Sequence, residues 1–358
     1  MAAIRAAAGC LLRSLCVALC VALAVPAARA EPGTLRSGPS IDGYESLVYL
    51  PGGHDAERPA PLVVALHGCK QDSRDFAKGT AFGELADREG FVVLYPETRR
   101  PAYRLWLNPN RCWEWWTVEN QSRGAGEPAV VVQMIEALKQ IVKIDGSRVY
   151  VAGLSAGGAM SAILGSLYPE VFAATGVHSG LAFAAAEEQV PAPFLWPIAY
   201  WFLGWTAEAG DAMDDGGPDP DGRGELAYGR QDQAHRVSPM IVVQGAADDT
   251  VAPLNAEQVI AQFAQMNDLA DDGDGANDSI DAIADGSQAT PEAPGRHAYT
   301  VYDYHDGAGT LVLRKILVEG LAHAWSGGDP GGSYTDEDGP EASRLMWEFF
   351  KGHRLGGR

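Results

Sequence analysis

Arg148-Val149-Tyr150-Val151-Ala152-Gly153-Leu154-Ser155-Ala156-Gly157-Gly158 joins a β-branched apolar run to a G-x-S-x-G pentapeptide. Small residues continue to Ala159, and a helix-like stretch follows to Leu167. The pattern predicts a strand, a sharp turn and a helix. In a nucleophile elbow of this kind the serine sits on a strained turn with its Oγ exposed. Flanking glycines fit, because a Cβ there would collide with the neighbouring strand and helix. A structural Gly-rich turn is the competing reading, and the strand and helix around the pentapeptide weigh against it. Ser155 is therefore the candidate nucleophile.

The same rhythm extends in both directions. Ser46 to Leu50, Pro61 to Leu66, Phe91 to Tyr95, Val171 to Val177 and Met240 to Val243 read as strands. Phe76 to Glu89, Ala129 to Val142, Ala256 to Met266 and Glu341 to Lys351 read as helices. Tyr299 to His305 and Leu311 to Glu319 read as strands joined by a Gly turn. Buried strands alternating with helices predict an α/β fold: a mostly parallel twisted sheet with helices on both faces. Two segments break the rhythm. The first, about 187–235, opens with the aromatic run Pro191 to Trp205, a lid or pocket wall in one reading and a helical hairpin packed on the core in the other. The second, about 267–295, spaces Asp272, Asp274, Asp278 and Asp281 around a Gly bend, as short calcium loops do. It lacks the Glu of an EF-hand, and a solvated acidic loop is the plain alternative. A calcium ion there would be structural.

Met1 to Ala30 has the form of a secretory leader: Arg5 and Arg13, an apolar run from Leu15 to Val25, then Ala28-Arg29-Ala30. An uncleaved N-terminal anchor is the alternative. Residues 31–358 then form one catalytic domain of a secreted or periplasmic protein. Of five cysteines, Cys10, Cys16 and Cys20 leave with the leader. Cys69 and Cys112 remain, and in an oxidising compartment they are expected to form a disulfide rather than two buried thiols. The net charge is −20 and becomes more negative once the leader's arginines are gone. Such a field repels nucleic acid and anionic membranes, and it favours a neutral or cationic substrate. Nothing in the sequence points to a protein partner.

A serine hydroxyl needs a base within hydrogen-bond reach and a carboxylate to orient that base. In folds of this pattern the chain order is Ser, acid, His, on loops that follow successive strands. Asp248 and Asp249 follow the strand at Met240, and either could be the acid. His323 follows the last strand and precedes the last helix, where the base belongs; His178, after a core strand, is the fallback. The oxyanion calls for preorganised N–H donors. Ala156 should give one and the loop after Leu66 the other, most plausibly Cys69. Trp113, Trp115 and Trp325 could wall the pocket or belong to the core.

Taken together, Leu66-His67-Gly68-Cys69, Tyr95-Pro96-Glu97, Cys112-Trp113-Glu114-Trp115, Arg123 to Glu127, Gly153 to Met160 and Gly320 to Gly328 are far more specific than the pentapeptide. Through them the chain resembles the secreted poly(3-hydroxybutyrate) depolymerase-type esterases, relatives of feruloyl and acetylxylan esterases, over roughly residues 40 to 352. The resemblance implies an α/β-hydrolase fold, a Ser155/Asp248/His323 triad, a Cys69–Cys112 disulfide, and ester hydrolysis with no required cofactor. It favours Asp248 over Asp249. Two positions depart from the pattern: Lys70 stands where the family usually has Thr, and Gln244 where it often has His. No polymer-adsorbing segment follows the last helix, so soluble oligomers or small esters are the expected substrates. Feruloyl or acetylxylan ester hydrolysis is the nearest alternative. A serine peptidase is less favoured, since no gating domain is present, and a non-catalytic secreted binding protein is the alternative of a different class.

Overall fold

The computed structural model describes residues 32–98, 108–187, 207–232, 234–275 and 279–356. The leader-like segment and the aromatic run at 191–205 lie outside the described residues. Strand β3 (Ala60–Leu66) is buried at every position. Leu62, Val64 and Leu66 join one apolar layer, and Val63 and Ala65 join the other. Alternate side chains point to opposite faces, so an unbroken apolar run marks a strand covered on both.

Among the described residues, the sheet has ten strands in the order β1-β2-β4-β3-β5-β6-β7-β10-β9-β8. Its centre is parallel: β4 (Val92–Pro96), β3, β5 (Ile144–Leu154), β6 (Ala174–His178), β7 (Met240–Gly245) and β10 (Leu311–Val318). β2 (Ser46–Leu50) runs antiparallel against β4, and β9 (Tyr299–His305) antiparallel against β10. Helices α1 (Ser73–Thr80), α2 (Phe82–Glu89) and α8 (Ala342–Phe350) cover one face; α3 (Gly126–Lys139), α4 (Ala156–Leu167) and α7 (Leu254–Asp272) cover the other. This is the α/β-hydrolase arrangement. Among the described residues, no helix is long and apolar enough to cross a membrane.

Four local expectations change. The single helix expected over Phe76 to Glu89 is two, broken at Ala81 with φ 52°. Phe76 and Phe82 are six residues apart, so one straight helix would point them about 120° apart. The break lets both rings pack on Trp325, at 5.5 and 5.8 Å between centroids. Ahead of Ser46, where the expected strands began, lies β1 (Thr34–Ser37), antiparallel to β2. It carries one apolar side chain, Leu35, too few for an alternating signal. The polar half of the first insertion folds as α5 (Ala207–Asp215) and α6 (Pro220–Gly229), and α6 packs along α7. The second insertion is not one loop: α7 runs on through Asp272, and β8 (Gly286–Thr290) adds an exposed edge strand against β9.

Candidate active site

Ser155 follows β5 directly and precedes α4, with φ 59° and ψ −121°. A non-glycine residue at positive φ is held there only by its surroundings. Its N–H donates to His178 O at 2.9 Å, and its carbonyl accepts from Ala159 N at 2.9 Å. A Cβ on Gly153 would lie 2.2 Å from Gly157 O, and a Cβ on Gly157 would lie 2.2 Å from Leu66 O. The pentapeptide glycines are thus fixed by backbone against backbone. Ala156 opens α4, so its N–H is one of the helix donors without an intrahelical acceptor.

The loop after β3 runs beside this elbow. A Cβ on Gly68 would be 3.4 Å from Ser155 Cβ. The loop's N–H groups can be followed one by one. Gly68 N donates to Gln71 Oε1 at 2.9 Å, Lys70 N to Asn110 O at 2.5 Å, and Gln71 N to Gly68 O at 3.4 Å. Among the described residues, Cys69 N–H meets no acceptor, which leaves it the loop's available donor. Cys69 is bonded to Cys112. Gln71 is buried, and its Nε2 donates to Ser333 O at 2.9 Å, tying the loop to the segment after His323.

His67, the residue before this loop, is buried with Nδ1 donating to Gly68 O at 2.8 Å. Burial, only partly offset by the Glu97 carboxylate, pushes its pKa down. A neutral ring therefore buttresses the loop.

Asp248 is buried and Asp249 is exposed. The Asp248 carboxylate lies 2.8 Å from His323 Nδ1 through Oδ2, and Oδ1 accepts from Thr250 N at 3.0 Å and Val251 N at 2.9 Å. Burial disfavours its charge, but the His323 hydrogen bond, the His323 charge and the two N–H groups outweigh that, and its pKa falls below the ordinary carboxylate range. Gln244, one of the two departures, donates to Asp248 Oδ2 at 3.2 Å and to Val251 O at 3.1 Å. An amide thus steadies the acid at that position.

His178 is not placed as a base. Its Nε2 accepts from Ser326 N at 3.0 Å and its ring stacks on Trp325 at 5.0 Å. Burial, then the nearby His323 charge, pushes its pKa down to about 3. The ordinary value is 6.5. Below that value the unfolded chain takes up the proton while the folded one refuses it. The stability His178 contributes is complete above pH 6.5 and is lost as pH falls toward about 3. Melting temperature should therefore drop across that window. His178→Gln should flatten the slope, which thermal melts at stepped pH measure directly.

Ser155 and His323 line one cleft of about 220 Å³ with Cys69, Lys70, Trp115, Trp116, Met213 and Tyr334. Of the three tryptophans expected there, the structure puts only Trp115 in the lining. Trp325 is buried between helices, with Nε1 donating to Ser343 Oγ at 3.1 Å. The tight turn closed by Ala324 N on Ala322 O separates its direction from that of His323. Trp113 is buried against His67, because a similar turn, Trp115 N on Trp113 O, sends residues 113 and 115 apart. Trp116 and Met213 were missed. Met213 belongs to α5, so the first insertion does contribute to the cleft wall.

The acidic run is differently built from the expected loop. Asp272 ends α7 and accepts from Asp274 N at 2.8 Å, and Asp281 accepts from Ile283 N at 2.7 Å. Asp278 lies outside the described residues. Among the described residues, no three His, Cys, Asp or Glu side chains are grouped to hold a metal ion.

Residues 44–194, which include the elbow and the loop after β3, match the family described as Esterase PHB depolymerase. The chain's curated relatives include a poly(3-hydroxyalkanoate) depolymerase C of Paucimonas lemoignei, 28% identical over 82% of this chain and 61% of that protein. They also include an acetylxylan esterase A of Emericella nidulans, 27% identical over 68% of this chain and 76% of that protein. The chain spans about three fifths of the depolymerases it matches. Among solved structures, an acetyl xylan esterase from Aspergillus awamori superposes with a TM-score of 0.65 at 20% identity, covering 89% of this chain and 100% of that one. That likeness bears on the fold alone.

Cys69 lines the cleft and carries the disulfide. The bond closes a span of 43 residues, for which chain entropy gives about 4 kcal/mol. The Cys69→Ser/Cys112→Ser double variant should lose stability of that order in urea titrations. Its kcat should fall up to about 10²-fold, because the loop's N–H is no longer pinned.

Proposed function

We propose that this protein is a secreted or periplasmic serine carboxylesterase acting on short hydroxyalkanoate-type esters or oligomers. The observation that carries the reading is Cys69 N–H, left without an acceptor among the described residues, on the cleft that also holds Ser155 and the Asp248-bonded His323. His323 Nε2 takes the Ser155 proton, and Asp248 keeps Nδ1 protonated and the ring in place. Ser155 Oγ attacks the ester carbonyl. The tetrahedral oxyanion is held by the N–H groups of Ala156 and Cys69, with the start of α4 adding its dipole. His323 returns the proton to the departing alcohol, and water then releases the acyl group by the same route. The cleft is smaller than the roughly 300–1,000 Å³ of drug-sized ligand sites, which suits short acyl groups. The disulfide supports an oxidising compartment.

Hydrolysis of acetyl or feruloyl esters of plant polysaccharides is the second reading, favoured by the relatives that carry acetylxylan and feruloyl esterase names. Initial rates on 4-nitrophenyl acetate, 4-nitrophenyl butyrate, methyl ferulate and a 3-hydroxybutyrate trimer separate the two. Trimer cleavage that Ser155→Ala abolishes is the expected result. Preference for ferulate or acetate selects the second reading, and an inert protein on all four rejects both.

A further inference from the structure

We propose that Lys70 selects esters carrying a free carboxylate and binds that carboxylate at the mouth of the cleft; this rests on the esterase reading of the same cleft. Lys70 is exposed and lines the cleft that holds Ser155 and His323. No Asp or Glu is among the residues lining that cleft. Among the described residues, the Lys70 ammonium has no ion-pair partner, whereas the adjacent Arg111 faces Asp72 at 3.7 Å. The carboxylates nearest in sequence are already engaged. Asp72 caps α1 through Arg74 N and Asp75 N, and Asp75 accepts from Ser333 N at 3.0 Å. Asp248 is buried and bonded to His323.

The backbone carrying this charge is held still. Lys70 sits at φ 66°, a region that residues with a Cβ rarely adopt. Its N–H is held by Asn110 O, its carbonyl by Arg111 Nη2 at 2.8 Å, and the residue before it by the disulfide. The ammonium is therefore displayed from a fixed point at the lip of the reacting centre.

The charge of the whole chain gives this arrangement its use. At a net −20, the protein repels anions at long range. Salt screens that field within about 10 Å, so a local cation governs the last step of approach. An oligomer of a hydroxy acid ends in a carboxylate, while an acetyl or aryl ester of a sugar carries none. Lys70 thus discriminates between the two substrate classes that the catalytic groups alone treat alike.

The test compares the 3-hydroxybutyrate trimer with its methyl ester, which has the same internal ester bonds and no charge. Internal cleavage is followed by chromatography in wild type, Lys70→Ala, Lys70→Glu and Lys70→Arg, at low and high salt. The wild-type ratio of kcat/KM, acid over methyl ester, should fall about fivefold in Lys70→Ala, through KM. It should fall further in Lys70→Glu, be kept by Lys70→Arg, and shrink in high salt. An unchanged ratio, or an equal loss on both trimers, overturns the assignment and leaves Lys70 a loop residue. Activity on 4-nitrophenyl butyrate is the separate control. A wild type inert there and on both trimers rejects the esterase reading itself, and the selection proposed for Lys70 with it.

Discussion

Ser155→Ala should lower kcat on 4-nitrophenyl butyrate by about 10⁴- to 10⁶-fold. The hydroxyl is the attacking atom, and alanine offers none. His323→Ala should cost a similar factor, and the double variant little more, because nucleophile and base act as one unit. The backbone at Ser155 adds a second readout. Alanine keeps the Cβ and therefore the strain at φ 59°, so its melting temperature should stay close to that of the wild type. Ser155→Gly loses the hydroxyl and the steric conflict together, so it should be as inactive yet melt higher. A glycine variant that melts lower than the alanine one would contradict the strained-elbow account. Residual kcat within tenfold of wild type in either variant would remove Ser155 from the chemistry.

Gly157→Ala should be strongly damaging. The new Cβ would sit 2.2 Å from Leu66 O and 2.5 Å from His67 O. Both are backbone atoms of the strand that carries the oxyanion loop, so no side chain can swing aside. Relief requires α4 to move off β3, which breaks the packing beneath Ser155. The expected cost is more than about 4 kcal/mol, and the variant should be either insoluble or folded with a displaced elbow and no esterase activity. Gly146→Ala is the matched control. It lies in β5, the strand that leads into the elbow, is exposed, and meets nothing within 4 Å, so its stability should change by less than about 0.5 kcal/mol. Urea titration of the two variants beside the wild type makes the comparison. Equal stability of the pair would mean that the close approach of α4 to β3 is not rigid.

The contrast between what the chain announces and what it conceals has a physical basis. β3, β4 and the buried half of β5 from Val149 to Leu154 are legible because strands covered on both faces are apolar throughout. The elbow is legible because backbone contact admits only glycine at fixed spacing. Asp248 and His323 follow from chain order, but choosing Asp248 over its exposed neighbour Asp249 needed either the family pattern or the structure. What stayed hidden depends on contacts distant in sequence. β1 and β8 carry few apolar residues and exist because β2 and β9 offer unpaired edges. The break at Ala81 exists because two phenylalanines share one tryptophan. Trp113 and Trp325 sit in aromatic-rich motifs next to site residues, yet two short turns send them inward. Gln71 bears no local signal at all, since its role is to hold Gly68 and to reach Ser333, 262 positions further along the chain.

The order in which the site's parts leave the ribosome differs from the order in which they become useful. The proposed nucleophile and both proposed oxyanion donors lie between Cys69 and Ala156, whereas the proposed base is His323, beyond a strand that must slot between β7 and β9. Until β10 pairs, the first half of the chain holds a primed serine with nothing to deprotonate it. Ester turnover is thus a clock for the last long-range pairing. Circular dichroism during refolding would register helices and the central strands, and the return of turnover would mark the moment the far end of the chain docks.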